Sequence, residues 1–253
     1  MKVFITGASS GIGAALAREY ARAGAQLGLF ARRADALSAL ATELGSAVPA
    51  LYTGDVRDEA TLRVAAADFT QRFGLADIVI ANAGVSRGTL TEYTEDNAAF
   101  RTIMDTNVDG ILHTFQPFLP AMRAARAGKL VGIASVAGFR GLPGAGAYSA
   151  SKAAAIAYLE SLRVELRGSG IEVITICPGY IATPMTAKNP YRMPFLLPVD
   201  KAAGLIARAI ARGRRFYVLP WQMAWLGRLF SILPRPLYDS VFAGAKRKPR
   251  ADA

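Results

Sequence analysis

Residues 146–154, GAYSASKAA, set a phenol (Tyr148) four positions before an ammonium (Lys152), among side chains too small to do chemistry themselves. With ordinary pKa values of about 10 and about 10.4, neither group trades protons readily at neutral pH. Residues i and i+4 share one face of a helix, so a helical segment would project both into the same cleft. A nearby cation favours phenolate over phenol and is expected to lower the Tyr148 pKa towards the working range. The chemistry on offer is proton transfer to and from an oxygen atom.

A second constellation lies at the start of the chain. The segment TGASSGIG (6–13) follows the apolar run KVFIT and opens the helical pattern IGAALAREYARAG. Gly7 permits a tight turn, Gly11 lets backbone approach a phosphate, and Gly13 allows close helix–strand packing. The helix N-terminus then offers free N–H groups to a pyrophosphate. The spacing is G-x-x-x-G-x-G rather than G-x-G-x-x-G, so a purely structural turn is the competing reading, and placement at the first strand–helix junction favours the phosphate. The run QLGLFA ends in Ala31, Arg32 and Arg33, with no carboxylate before Asp35. A carboxylate there would hold the ribose hydroxyls of NAD, whereas a guanidinium suits the 2′-phosphate of NADP. NADP(H) is therefore expected over NAD(H), with Arg32 bearing the phosphate and Arg33 or Ser9 assisting. A solvated basic helix start is the competing reading.

Elements must hold these two constellations together. Apolar runs of strand length recur at 2–6, 26–31, 48–52, 77–81, 129–134, 171–176 and 215–220, and Ala- and Leu-rich helical patterns separate the first six. Gly24, and later Gly168 and Gly170, end two of those patterns as helix stop signals. Strands alternating with helices imply right-handed βαβ units and a parallel sheet covered on both faces, with ligands at the carboxyl ends of the strands. No repeat or linker interrupts the first 200 residues, so one domain is expected.

Composition narrows the chemistry. Of the 253 residues 52% are hydrophobic and 19% charged, enough for a sizeable core. One cysteine, Cys177, rules out an internal disulfide framework; it reads as buried packing and points to a reducing cytoplasm. A single histidine, His113, excludes metal sites built on several histidines and cysteines, and it reads as an ordinary helix residue. The net charge of +11 is uneven: residues 201–253 carry +9 and residues 1–200 only +2. No apolar run approaches the roughly 20 residues that span a bilayer, and the opening is too short for a secretory signal.

Taken in order, these motifs resemble the short-chain dehydrogenase/reductase family in its compact single-domain branch, over roughly residues 1–220. The resemblance implies a Rossmann-like, doubly wound, parallel seven-stranded α/β sheet with helices on both faces. It makes TGASSGIG (Gly7, Ser9, Ser10, Gly11, Ile12, Gly13) the cofactor loop and Asp55 and Val56 the pair that holds adenine. Asn82, Ala83 and Gly84 would line the cofactor. Asn107, Ser135, Tyr148 and Lys152 match a catalytic tetrad. PGYIATPM would wrap the nicotinamide with Pro178, Gly179 and Ile181, and Thr183 would meet its carboxamide. In this reading Tyr148 gives a proton to a carbonyl oxygen as hydride arrives, Ser135 orients that oxygen, Lys152 holds the ribose, and Asn107 holds a water linking Lys152 to solvent. One departure stands out: NADP-preferring members often carry Lys or Arg where this chain has Ser10.

The implied activity is hydride transfer between NADP(H) and a carbonyl or secondary alcohol by a homo-oligomer, with carbonyl reductase as the first reading and the direction set by substrate supply and the cofactor ratio. Two alternatives are an NAD(P)+-dependent alcohol dehydrogenase and a non-catalytic NADPH sensor; an intact tetrad argues against the latter. The segment 182–200, rich in Met, Phe, Leu and Pro but bearing Lys188 and Arg192, suggests a hydrophobic small-molecule substrate. Residues 221–253 form an apolar and basic extension. Trp221, Trp225, Leu229 and Ile232 cluster on a helical wheel, flanked by Arg214, Arg215, Arg228, Arg235 and the closing KRKPR. A pocket lid, a subunit contact and peripheral membrane contact are all consistent with that pattern. Nucleic acid is not expected as a partner, because the basic residues form no recognisable binding module.

Overall fold

The computed structural model describes residues 1–45 and 49–250; the expected third strand began at Val48, which lies outside them. Strands β1 (Lys2–Thr6), β2 (Gln26–Ala31), β3 (Ala50–Thr53), β4 (Ile78–Ala81), β5 (Gly128–Ile133) and β6 (Ile171–Pro178) alternate with helices. The helices between them are α1 (Gly11–Arg22), α2 (Ala34–Leu44), α3 (Glu59–Phe73), α4 (Asp96–Met104), α5 (Gly110–Phe115), α6 (Leu119–Ala125) and α7 (Gly146–Glu165). A π-turn (Asp105–Asp109) joins α4 to α5, and a short 3₁₀ turn (Val136–Gly138) precedes α7. The two-residue strands β7 (Ile181–Ala182) and β8 (Leu197–Pro198) pair with each other; α8 (Val199–Ala211), β9 (Phe216–Leu219), α9 (Trp221–Ile232) and α10 (Arg235–Phe242) complete the chain.

Seven strands form one parallel sheet in the order β3-β2-β1-β4-β5-β6-β9. The alternation of side chains along β1 explains how both faces are covered. Val3 and Ile5 join a core with Leu16 of α1, Leu37 of α2 and Ile206 of α8. Phe4 enters the opposite core with Phe69 of α3, Phe115 of α5 and Leu159 of α7. Strand order reverses between β1 and β4, where chain segments leave in opposite directions and open a crevice at the carboxyl edge. No described helix is long and apolar enough to cross a membrane.

Candidate active site

The crevice starts at the glycine loop. Gly7 adopts φ +65°, a left-handed conformation open to glycine, and a side chain there would collide with the backbone of Ala83. Gly13 packs against the Gly7 carbonyl and Asn82, leaving no space for a methyl group. Asn82 locks this junction: its Nδ2 donates to the carbonyl oxygens of Thr6 (3.0 Å) and Gly7 (3.2 Å). Ser10 stands at the N-cap of α1 in extended conformation, and its hydroxyl makes no capping bond. The first turn of that helix thus keeps its N–H groups for an anion.

Further along the crevice, Arg33 donates to the backbone oxygen (3.3 Å) and hydroxyl (3.4 Å) of Ser9. Arg32, largely exposed, lies 3.8 Å from the Asp55 carboxylate, which Arg57 also holds at 2.7 Å. The hydrogen bond from Arg57 is the main cause that keeps the Asp55 carboxyl below its ordinary range. Val56 is buried, and its carbonyl accepts from His113 Nδ1 at 3.0 Å, so the single histidine is occupied in packing. Among the described residues no cluster of His, Cys, Asp and Glu could hold a metal.

The reactive end is built by β5, α7 and the turn after β6. Ser135 follows β5 and caps the 3₁₀ turn, its Oγ accepting from Ala137 N (3.1 Å) and donating to Pro178 O (3.4 Å). Tyr148 and Lys152 lie one turn apart on α7, as the spacing predicts, with the ammonium 5.9 Å from the phenol ring centre. Lys152 Nζ donates to Ile133 O at 2.8 Å in a buried position. Its ammonium is pushed down to about 8, mainly by burial, with the neighbouring Cys177 opposing. Cys177 is itself buried and its thiol pushed up to about 12.

Tyr148 departs from expectation. Burial raises its pKa, the nearby Ser135 hydroxyl pulling it down only in part, and Lys152 is not among the causes. The Lys152 ammonium, 5.9 Å from the ring centre and turned to Ile133 O, does not supply the anticipated lowering, and desolvation of the phenolate sets the direction. Asn107 departs as well. It is fully buried in the π-turn, where its Oδ1 accepts from Val85 N (2.8 Å) and its Nδ2 donates to Val85 O (3.0 Å) and Ser151 Oγ (2.9 Å). Its amide is occupied in clamping the segment after β4 rather than in reaching solvent.

One cleft of about 370 Å³ connects the two ends. It is lined by Gly7, Ser9, Ser10, Gly11 and Ile12, by Arg32, Arg33, Asp55 and Val56, and by Asn82, Ala83 and Gly84. Ser135, Tyr148 and Lys152 line its other end with Pro178, Gly179, Ile181 and Thr183. Of the residues singled out from sequence, Gly13 and Asn107 stand behind the wall. An elongated cleft with an anion-receptive helix end at one side and buried acid–base groups at the other fits a dinucleotide.

The short chain dehydrogenase family model matches residues 1–193. The chain belongs to the short-chain dehydrogenase/reductase family. Among the curated relatives, an uncharacterized oxidoreductase of Myxococcus xanthus is 42% identical, the match covering 94% of each chain. An 11-beta-hydroxysteroid dehydrogenase-like protein of Arabidopsis thaliana is 36% identical over 95% of this chain and 81% of its own. The actinorhodin polyketide ketoreductase with NADPH superposes with a TM-score of 0.78 at 26% identity, covering 86% of this chain and 94% of that one. A short-chain dehydrogenase/reductase of Burkholderia phymatum in complex with NAD reaches 0.80 at 28% identity, covering 90% and 92%. The protein is thus an oxidoreductase of this family, whose solved members hold both forms of the nicotinamide dinucleotide.

Three residues near the reactive end escaped the sequence reading. Thr106 lines the cleft with a buried hydroxyl that has no protein partner among the described residues. Ser86 and Lys248 meet beside Tyr148, Lys248 Nζ donating to Ser86 Oγ at 2.7 Å. A family motif announces neither, since Lys248 arrives from the far end of the chain. The tail also divides its roles. On α9, Met223 is buried against Gly179, which lines the cleft, and Gly227 packs on Phe139. Trp221, Trp225, Leu229 and Ile232 face outward, 52–79% exposed.

Proposed function

We propose that this oxidoreductase is an NADP(H)-dependent carbonyl reductase that acts on small molecules with an apolar body. The observation that carries the reading is the Tyr148 phenol: half-buried in the cleft beside Ser135 and Lys152, with a pKa raised by burial. A phenol held above its ordinary pKa is protonated at neutral pH, which is the form needed to give a proton to a carbonyl oxygen. In the oxidative direction the same phenol would take the proton back, so substrate supply and the cofactor ratio set which way the reaction runs. Arg32 and Arg33 just after β2, with Ser9 on the glycine loop, support NADP(H) over NAD(H).

NADPH, when bound, supplies the hydride to the carbonyl carbon. As that carbon gains its C–H bond, the developing alkoxide takes the Tyr148 proton, breaking the phenolic O–H bond and forming the alcohol. Ser135 donates a hydrogen bond to the same oxygen, a fixed donor placed where charge develops. Lys152, pushed down to about 8, is able to return a proton to the phenolate near neutral pH. Asn107 acts as a positioning residue, holding Val85, and through it Gly84, against Lys152.

Met185, Phe195 and Leu196 in the loop before α8 are exposed apolar side chains, which supports a hydrophobic substrate. The outward stripe of α9, flanked by exposed Arg228 and Arg235, supports peripheral contact with an anionic bilayer. The decisive experiment replaces Tyr148 by Phe and follows NADPH consumption over a panel of ketones. Turnover should fall by about three orders of magnitude or more, the scale of general acid catalysis, while NADPH affinity stays within a few-fold. A variant that keeps a substantial share of the rate would refute the assignment.

A further inference from the structure

The last described residues form a strap that packs on Gly88 and Gly144 and brings Lys248 beside Tyr148. Gly88 N donates to Pro249 O at 3.0 Å, and a side chain on Gly88 would collide with the strap backbone. Gly144, at φ +70°, makes the same allowance for Arg247. Arg250 fastens the end: its Nε donates to both oxygens of Asp96 (3.1 and 2.9 Å), and its guanidinium lies 3.7 Å from the Tyr93 ring centre. Asp96 also accepts from Leu90 N at 2.7 Å, so its charge is already spent on the strap.

Lys248, two residues earlier, is bound quite differently. Its ammonium is half-buried, with its pKa lowered by burial, and its hydrogen bond goes to the neutral hydroxyl of Ser86. Among the described residues it has no carboxylate within 4.0 Å, although Glu95 and Asp96 lie on the neighbouring segment with Arg250. Its Nζ lies 5.8 Å from the Tyr148 ring centre, as close as the Lys152 ammonium. Among the described residues this half-buried cation meets no anion, and beside the phenol that must touch the substrate oxygen it is placed to take one that arrives with the substrate.

We propose that Lys248 is a specificity-determining residue that binds an anionic group of the substrate, so that the preferred compounds are oxo acids with a carboxylate a few bonds from the reacting carbonyl. Ser86 holds the ammonium in place for that contact. The proposal rests on the reductase reading and names its substrate class: an apolar body with an acidic end close to the ketone. Lys152 cannot serve the carboxylate, since it is buried and committed to Ile133 O.

The test uses the full-length protein, NADPH, and matched pairs of α-, β- and γ-oxo acids with their methyl esters at pH 7. In at least one pair, wild-type kcat/KM should favour the acid by about tenfold or more, the worth of one charge-assisted hydrogen bond. In K248M that acid-to-ester ratio should collapse towards one, mainly through KM of the acid, and K248R should restore most of it. A wild-type ratio near one, or a ratio that K248M leaves unchanged, overturns the proposal even while esters are reduced, and the reductase reading then stands. Equal losses on acid and ester in K248M would instead give Lys248 an electrostatic effect on Tyr148 and also overturn it. A protein that binds NADPH but consumes none with any acid, ester or neutral ketone would overturn both.

Discussion

Arg32 and Arg33 follow β2, at the position where a carboxylate would favour NAD, and this is the ground for proposing that they read the 2′-phosphate. Arg33 is braced by Ser9 on the glycine loop, whereas Arg32 leans towards Asp55. Replacing both arginines by Ala should lower the ratio of NADPH to NADH use in kcat/KM by about tenfold or more, because charge-assisted bonds to a phosphate are lost and nothing is lost for NAD. Competition titrations of the two nucleotides measure it, and an unchanged ratio removes the 2′-phosphate from that corner. At the other end, burial sets opposite directions for the two acid–base groups: Tyr148 moves up and Lys152 down to about 8. A lysine with a lowered pKa is charged below about 8 and loses its proton above it. The kcat/KM profile for NADPH, which reports groups of the free enzyme, should therefore begin its alkaline fall near pH 8 rather than above 10. A plateau running past pH 9 would count against the role given to Lys152.

The elements differ in how openly they were written. The helix carrying Tyr148 and Lys152 and the strand–glycine–helix unit are local patterns of period and turn chemistry, and both appear where the pattern puts them. Helix α1 stops before Gly24 at φ +71°, as the glycine signals. Helix α9 was open to several readings because a wheel shows a stripe but not what faces it. In the fold it has two sides: Met223 and Gly227 face inward onto Gly179 and Phe139, and the tryptophan face points out. Arg140 fixes its C-terminal end, donating to the carbonyl oxygens of Phe230 (3.0 Å) and Leu233 (3.2 Å) while stacking on Tyr238 of α10. A stripe so anchored should bring the protein down with anionic vesicles at low salt. Trp221→Ala with Trp225→Ala should abolish that sedimentation without lowering activity in solution. Sedimentation of neither form, or a loss of dimers on substitution, would assign the stripe to a subunit contact.

For the whole molecule, the strand order places the glycine loop of β1, the Asn82 segment after β4 and Ser135 after β5 side by side at one edge of the sheet. The order of motifs along the chain made this fold and nearly all of the cleft legible, since each motif reports a local need: φ above zero, a close backbone approach, or two side chains one turn apart. Other features depend on groups brought together from distant parts of the chain. Asn107 carries no mark in its own segment that its amide will close on Val85 and Ser151. Nor does KRKPR reveal that Arg250 will find Asp96 while Lys248 meets Ser86 beside Tyr148. Sequence alone thus determined the family, the α/β order and the placing of Tyr148 and Lys152 one turn apart on a helix, because period and turn geometry are short-range. Tertiary structure decided the direction in which the phenol's pKa moves, the two sides of α9 and the cation brought beside Tyr148, because desolvation and ion pairing depend on what packs nearby in space.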